Sequence, residues 1–147
     1  MDEKDIRILE ALKLDSRQTT NDIWRKTEIP QTTIHNRIKK LKDKGIIKRF
    51  TIELNKKLID RGLSAYIFCT VSYRTLKGEK VSQFDVASNI KRMIEEVEEV
   101  SIVTGEIDLI VKVAVKDVDA LNEFVIKKLR NIEGVEKTIT SVVLTEM

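Results

Sequence analysis

A short basic stretch, residues 30–50, contains the side chains with the clearest chemistry. Ile34, Ile38 and Leu41 recur at i, i+4 and i+7, so they form one face of an amphipathic helix. Polar and cationic side chains occupy the opposite face, and seven Lys/Arg residues fall within thirteen positions that contain a single acid, Asp43. Hydroxyl and amide groups in the first turn suit base edges in a DNA major groove, and the cations suit phosphates. A solvated basic face on an ordinary core helix is the alternative interpretation.

This helix and the residues after it predict individual DNA contacts. The side chains that we expect to reach base edges are Gln31, Thr32, Thr33, Asn36 and Lys40. Those that we expect to grip phosphates are Arg37, at the flank of the polar face, with Lys39, Lys48 and Arg49. His35 lies beside the polar face. It is interpreted either as a contact to a phosphate or a base or as an exposed side chain without a role, and the sequence favours neither.

A second constellation is the segment Thr104-Gly105-Glu106-Ile107-Asp108. Glycine lets a backbone approach a ligand closely, and adjacent N–H groups can receive a carboxylate. The acids Glu106 and Asp108 can oppose an ammonium group. An ordinary β-turn with glycine at a positive φ is the alternative, and the residues alone favour it.

Other chemistries find little support in the composition. One histidine and one cysteine make a His/Cys metal site improbable, and a single cysteine fits a reducing cytoplasm. The sequence has no glycine-rich phosphate loop and no nucleophile elbow, so we expect no enzyme, no metal and no cofactor. No apolar run approaches a membrane span, which predicts a cytoplasmic protein. Trp24 and Cys69 are interpreted as core residues.

The N-terminal elements resemble those of a helix-turn-helix. Asp2 is expected to cap a first helix with an apolar stripe, and Thr19 a second helix, Thr20 to Lys26, anchored by Ile23 and Trp24. A brief turn precedes the basic helix. After Gly45, residues 46–52 predict a short β-hairpin or wing. Residues 1–61 carry 16 basic and 10 acidic side chains, and the remaining residues carry 11 and 14, so a basic half is joined to an acidic half.

The C-terminal part predicts a βαββαβ order, a ferredoxin-like split βαβ sandwich. The predicted strands lie near residues 65–73, 100–104, 109–115 and 138–144, with helices around 84–94 and after Asp117. The acids of residues 95–99 are placed at the end of the first of these helices. Both faces of the first strand are partly apolar, which indicates burial against another subunit. An RNA-binding module has the same order, but its central-strand aromatics are missing from residues 109–115.

At this point the sequence resembles the Lrp/AsnC (leucine-responsive or feast/famine) regulators of bacteria and archaea, of the archaeal type, over nearly its whole length. The opening helix matches through Asp2, Asp5, Ile8, Leu9 and Leu12, and the break after it through Asp15-Ser16-Arg17. The recognition helix and wing match through Arg37, Ile38, Leu41, Gly45, Ile47 and Leu54-Asn55. Residues 104–108 are similar to the family's effector loop, and Gly134-Val135 to its final turn.

The resemblance implies an α+β protein with an N-terminal winged helix-turn-helix at 1–52, a linker at 53–63 and a ferredoxin-like effector-binding and oligomerisation domain at 64–147. It implies a regulator that binds palindromic promoter DNA as a dimer, with octamers formed from dimers and an amino-acid effector between dimers. The effector positions that it implies are Ile102, Thr104, Gly105, Glu106, Asp108, Val118, Ser141, Val142 and Val143. Ser141 replaces a larger aromatic residue of some members. A C-terminal domain that only oligomerises remains the alternative.

Overall fold

The computed structural model describes residues 1–72, 74, 78–93 and 95–145, so Tyr73 and Ile94, assigned above to a strand and a helix, lie outside the described residues. The chain divides into two compact units, Met1–Leu54 and Asn55–Met147. Each unit is described by itself below.

The first unit contains three helices: α1 (Glu3–Leu14), α2 (Thr20–Thr27) and α3 (Gln31–Asp43). The predicted caps of the first two helices are confirmed. Asp2 and Thr19 both form capping boxes, in which the cap side chain accepts from the third residue of the helix and that residue's carboxylate accepts from the cap N–H. The core of this unit consists of Ile8, Ala11, Leu12, Ile23, Ile29 and Ile34 with Ile38 and Ile47 packed against it.

Trp24 is not a core residue, and this prediction was wrong. Its side chain is 44% exposed, whereas Ile23 is fully buried. The eight-residue helix α2 turns Ile23 and Thr27, four positions apart, toward the core. Trp24, about 100° further around the helix, therefore faces away.

The predicted β-hairpin after Gly45 is also absent, although all of residues 46–52 are described. The N–H groups of Ile46 and Ile47 both donate to the Leu41 carbonyl, at 2.9 and 3.1 Å, which closes the end of α3. The following segment forms no strand, and no described residue pairs with it in a ladder. Phe50 instead lies under the Lys42 ammonium, 5.7 Å from its ring centroid.

The second unit is built on four antiparallel strands: β1 (Leu63–Val71), β2 (Val97–Ile102), β3 (Leu109–Val115) and β4 (Val135–Val142), in the order β2-β3-β1-β4. Helix α4 (Gln83–Met93) joins β1 to β2. Helix α5 (Val118–Glu123) continues through a π-helical turn, Phe124–Lys128, and a 3-10 turn, Leu129–Asn131, before β4. A further 3-10 turn, Lys56–Ile59, precedes β1. The βαββαβ order is confirmed.

The core of this unit lies between one face of the sheet and the helices. The alternate residues Ala65, Ile67, Cys69 and Val71 of β1 are buried in it, with apolar residues of α4 and the α5 segment. Cys69 is fully buried, as predicted, and burial raises the pKa of its thiol to about 12. Asp117 caps α5 by accepting from the Ala120 N–H at 2.9 Å.

The acid cluster of residues 95–99 does not end a helix, which corrects its predicted place. Val97 begins β2, and the acids beside it are paired within the unit. Glu96 contacts Lys128 at 2.7 Å, and Glu98 contacts Lys56 at 2.9 Å and Lys112 at 3.7 Å. The strand starts earlier than Val100 because Val97 and Glu99 already pair with Val113 and Lys112 of β3.

The opposite face of the sheet is covered by none of the described helices of this unit. Tyr66 and Phe68 of β1 alternate with the buried residues and therefore project to this side. Their sheet neighbours include Ile110 on β3 and Ile139 on β4, and the Ile139 side chain is 62% exposed. Lys112 lies over the Tyr66 ring, 5.6 Å from its centroid.

Candidate nucleic-acid interface and effector region

Helix α3 presents its polar side chains on the face opposite its buried stripe. Ile34 and Leu41 are buried and Ile38 packs against the same core. Successive side chains of a helix are rotated by about 100°, so the polar residues between them face outward. The predicted contact residues that are exposed are Gln31, Thr32, His35, Asn36, Lys39 and Lys40, and Lys48 and Arg49 are exposed after the helix. Thr33 and Arg37 are half-buried. The structure thus brings the exposed residues of α3 onto one polar surface.

The N-terminus of α3 differs from those of α1 and α2. Pro30 occupies the cap position and, in the described chain, makes no side-chain hydrogen bond to the first turn, and no acid lies in that turn. The first N–H groups of a helix have no partner within the helix and carry a partial positive charge. An external anion can therefore approach this end of α3.

Gln31 is positioned by a residue that sequence reasoning missed. Its side-chain Nε2 donates to Asn21 Oδ1 on α2 at 3.0 Å. This contact holds the first side chain of α3 toward α2. No signal in the sequence pairs two amides ten positions apart on different helices.

Arg37 is engaged within the unit. Its Nη1 lies 2.7 Å from both carboxylate oxygens of Asp2 and 2.7 Å from Asp5 Oδ1. Hydrogen bonds from this guanidinium hold the pKa of both carboxyl groups below their ordinary value, and the same bonds raise the pKa of Arg37. Asp2 was expected only to cap α1, and nothing local in the sequence indicates its contact with a residue 35 positions away.

In the second unit, Asp108 organises the loop before β3. Its Oδ2 accepts from the Val71 N–H at 2.8 Å, and its Oδ1 accepts from Gln83 Nε2 at 2.6 Å. Its own N–H donates to the Cys69 carbonyl at 3.0 Å. The carboxylate therefore ties this loop to the end of β1 and to the first residue of α4.

The rest of this loop is open. Gly105 has φ +125, a backbone conformation that favours glycine, and a Cβ built there would meet no heavy atom within 4 Å. Thr104 and Glu106 are exposed on either side of it. The backbone here can be approached, as the sequence-based interpretation of the loop requires.

The predicted effector residues fall into two groups, one near Cys69 toward the C-terminal end of β1 and one along its N-terminal half. Ile102 and residues 104–108 lie near Cys69, which pairs with Leu109. Ser141 pairs with Tyr66, the Val143 N–H donates to the Ser64 carbonyl at 2.9 Å, and Val118 follows the end of β3 that pairs with Leu63. Ser64 and Cys69 are five residues apart, about 16 Å along a strand. One chain alone does not bring the two groups together.

Two absences apply to the described part of the chain. None of its helices is long and apolar enough to cross a membrane. Within the same residues, no group of three or more His, Cys, Asp or Glu side chains is arranged to hold a metal ion.

Comparisons with known proteins match both units. Residues 1–48 match the family model of a winged helix-turn-helix DNA-binding domain, and residues 68–147 match that of the Lrp/AsnC ligand binding domain. An HTH-type transcriptional regulator of Pyrococcus abyssi is 41% identical over 142 residues, which cover 97% of this chain and 91% of that protein. The HTH-type transcriptional regulator FL11 of the same organism is 36% identical over 144 residues, covering 98% and 89%.

Solved structures agree. AsnC of E. coli superposes with a TM-score of 0.79 at 27% identity, covering 99% of this chain and 93% of that one. A transcriptional regulator of Neisseria meningitidis, solved as a complex with L-Met, superposes with a TM-score of 0.88 at 25% identity, covering 100% and 92%. These relatives are transcriptional regulators. The protein described here accordingly belongs to the Lrp/AsnC family of helix-turn-helix DNA-binding transcriptional regulators.

Proposed function

We propose that α3 enters the major groove of a specific promoter site and that a small molecule bound by the second unit modulates this binding. The observation that carries the DNA contact is the polar, cationic face of α3 opposite its buried stripe. Base edges are read by Gln31, Thr32, Thr33, Asn36 and Lys40. Phosphates are contacted by Lys39, Lys48 and Arg49, with His35 beside them. The protein is not an enzyme, and as a DNA-binding regulator it acts in the cytoplasm.

The side chains on α3 divide into two kinds that binding measurements separate. A preferred duplex is first selected from a random pool, and affinity for it and for a scrambled duplex is then measured across a salt series. Lys39→Gln weakens binding to both duplexes. It also makes the negative slope of log K against log salt shallower by about one, because one phosphate is no longer neutralised. Asn36→Ala reduces mainly the preference for the selected duplex, by about 1–3 kcal/mol if the amide binds adenine through both its groups. Equal weakening on both duplexes for Asn36→Ala contradicts base reading.

The dimer that reads a palindromic site forms through the open face of the sheet. Tyr66, Phe68, Ile110 and Ile139 make this face apolar at its centre, and an exposed apolar patch of this kind marks an interaction surface. A pair of identical surfaces also matches the two-fold symmetry of a palindrome. Assembly of dimers into octamers belongs to the same proposal.

Sedimentation tests the dimer. Ile139→Glu places a charge on the open face without disturbing the core, and we expect it to yield monomers at micromolar concentration. Ile126→Glu, at a residue that is 51% exposed on the helical side, is the matched control and leaves the dimer intact. A dimer that survives Ile139→Glu places the interface elsewhere.

The effector is an amino acid bound between copies of the chain. This proposal is supported by the ligand-binding-domain match, by the open backbone at Gly105 and by the separation of the two groups of residues, which a second copy would complete. Glu106 and the loop N–H groups suit the ammonium and carboxylate of an amino acid. The exposed Ser141 leaves room for the ligand's side chain.

Thermal unfolding against each of the twenty amino acids identifies the ligand. A ligand at about 100 times its dissociation constant adds roughly 2.7 kcal/mol to the stability of the bound fold. Glu106→Gln and Ser141→Phe change one residue from each of the two groups of predicted effector residues. If the two groups share a site, each substitution abolishes the ligand-induced shift in melting temperature. Asp108→Ala is a poor probe, because it also removes the acceptor for Val71 and Gln83. If no amino acid shifts the melt, the second unit is an assembly domain or binds another metabolite.

A further inference from the structure

We propose that Arg37 is a positioning residue which locks the recognition helix α3 against α1 through Asp2 and Asp5, and that it is not a phosphate ligand. This inference rests on the proposed function, because it concerns how α3 is presented to DNA. It replaces the phosphate contact predicted for Arg37 from the sequence. The observation that carries it is the set of three contacts of 2.7 Å between Arg37 Nη1 and the two carboxylates.

The two acids are held in place before the arginine reaches them. Asp2 Oδ1 accepts from the Asp5 N–H at 3.0 Å, and Asp5 Oδ2 accepts from the Asp2 N–H at 3.1 Å, so the capping box of α1 fixes both carboxylates. The arginine therefore binds two carboxylates that are already in place, and these lose little conformational entropy when the contact forms. Since these acids belong to the first turn of α1, the contact joins the start of one helix to the middle of another.

The charge of the cluster argues against a phosphate at this position. One guanidinium and two carboxylates sum to −1, so the charge of Arg37 is already compensated within this cluster and its attraction for a further anion is weakened. The side chain of Arg37 is 26% exposed and that of Asp5 only 16%. Because Nη1 is engaged by both carboxylates, a phosphate would have to reach the remaining N–H donors of a guanidinium whose charge these acids already compensate. The exposed cations Lys39 and Lys40 face no such competition from these two acids.

A second contact, a hydrogen bond from Arg7, joins α1 to α2, so α1 supports both helices of the helix-turn-helix. Arg7 Nη2 donates to the Thr27 carbonyl at 2.6 Å, at the last residue of α2. Helix α1 thus holds the end of α2 through Arg7 and the middle of α3 through Arg37. Side-chain ends lie about 5–6 Å from a helix axis, so a rotation of about 10° moves them by roughly 1 Å. That displacement is enough to break a base-edge hydrogen bond, whose length varies by only a few tenths of an ångström.

The contact of Arg37 with Asp2 and Asp5 is called the clamp below. The test compares two substitutions in the clamp with two matched substitutions outside it. Arg37→Gln removes the cation, and Asp5→Asn removes one carboxylate with little change of shape. Lys39→Gln removes an exposed cation from the same helix, and Glu10→Gln removes an exposed acid from α1. Full-length proteins are titrated with the selected and the scrambled duplex over a salt series, and unfolding curves confirm that each variant is folded.

We expect Arg37→Gln to weaken binding to the selected duplex by about tenfold with an unchanged salt slope, whereas Lys39→Gln makes the slope shallower. Asp5→Asn also weakens selected binding, although it raises the net charge by one, and Glu10→Gln does not. Arg37→Lys restores part of the affinity, because it keeps a cation at the clamp. The proposal is overturned if the salt slope becomes as shallow for Arg37→Gln as for Lys39→Gln, or if Asp5→Asn binds the selected duplex more tightly than the wild type does.

A measurement without DNA separates this inference from the proposed function. Amide hydrogen exchange in α3 is expected to speed up in Arg37→Gln and Asp5→Asn and to stay at the wild-type rate in Glu10→Gln. If the wild-type protein binds no duplex selectively but the exchange rates change in this way, the DNA-reading proposal fails and the clamp stands. If exchange in α3 is unchanged in both clamp variants, the clamp does not hold the helix and the inference is wrong.

Discussion

Replacing Gly134 by alanine should destabilise the second unit through two separate effects. Gly134 lies just before β4 with φ +96, and its carbonyl accepts from the Ser72 N–H at 2.8 Å. A Cβ at this position would lie 2.7 Å from Val86 Cγ2 and 2.8 Å from Val81 Cγ1. Real Cβ atoms do not approach other atoms so closely, and the backbone conformation is itself one that alanine rarely adopts.

The expected destabilisation follows from adding the two effects. A non-glycine residue in such a backbone conformation costs about 1–3 kcal/mol. Forcing a methyl group into a packed site costs about 1–3 kcal/mol more. The free energy of unfolding should therefore fall by about 2–6 kcal/mol. For a unit of this size even the lower figure lowers the melting temperature by roughly 8–16 °C.

Gly78 provides the matched control. Its φ is +82, close to that of Gly134, but a Cβ built there would meet nothing within 4 Å. Gly78→Ala should therefore show only the backbone component. The difference between the two variants measures the clash with Val81 and Val86, and Gly134→Ala should cost less in a Val86→Ala background because the closest methyl group is then gone.

Pulsed alkylation of Cys69 in urea measures the unfolding of this unit alone, because Cys69 is the single cysteine of the chain and is buried in its core. The midpoint of labelling gives the stability of each variant. If Gly134→Ala is no more destabilising than Gly78→Ala, the steric part of the reasoning is refuted. If Val86→Ala does not reduce the cost of Gly134→Ala, the contact with Val86 on α4 does not contribute, and the strain comes from the backbone or from the contact with Val81.

Three further predictions follow from the contacts described above. The Cys69 thiol has its pKa raised to about 12 by burial, so we expect no reaction with a thiol reagent at neutral pH until the unit unfolds, and labelling of the folded protein at a rate near that of a free thiol would contradict this. The pKa values of Asp2 and Asp5 are lowered by Arg37, so their contribution to stability is complete above the ordinary carboxyl pKa of about 3.9 and is lost as the pH falls through the lowered values. The free energy of unfolding, measured between pH 2 and 6, should fall with falling pH in the wild type and fall less steeply in Arg37→Gln. The same pH dependence in both proteins would mean that the clamp does not form in solution. Asp108→Asn replaces one acceptor by a donor facing either the Val71 N–H or Gln83, and should cost about 1–3 kcal/mol by urea unfolding, with the exposed Glu106→Gln as a near-neutral control.

Local contacts in this protein were predictable from the sequence because they join residues three or four positions apart. Asp2, Thr19 and Asp117 cap their helices as the sequence indicates, since a cap depends only on the first turn. The 3.6-residue stripe of α3 and the alternation along β1 likewise identify the buried faces. From these patterns and from family motifs, the sequence determined the three-helix unit, the βαββαβ order and the DNA-binding class.

Only the tertiary structure decided which of two faces a side chain uses and which distant residue it meets. Trp24 is exposed because Ile23 takes the core position on a very short helix. After Gly45 the chain forms no hairpin, and its first N–H groups, those of Ile46 and Ile47, donate to the Leu41 carbonyl at the end of α3. Arg37 meets acids 32 and 35 positions away, and Asp108 meets donors 25 and 37 positions away. Such contacts depend on how packed helices and strands are brought together, and composition and spacing along the chain do not encode that geometry in any readable local pattern.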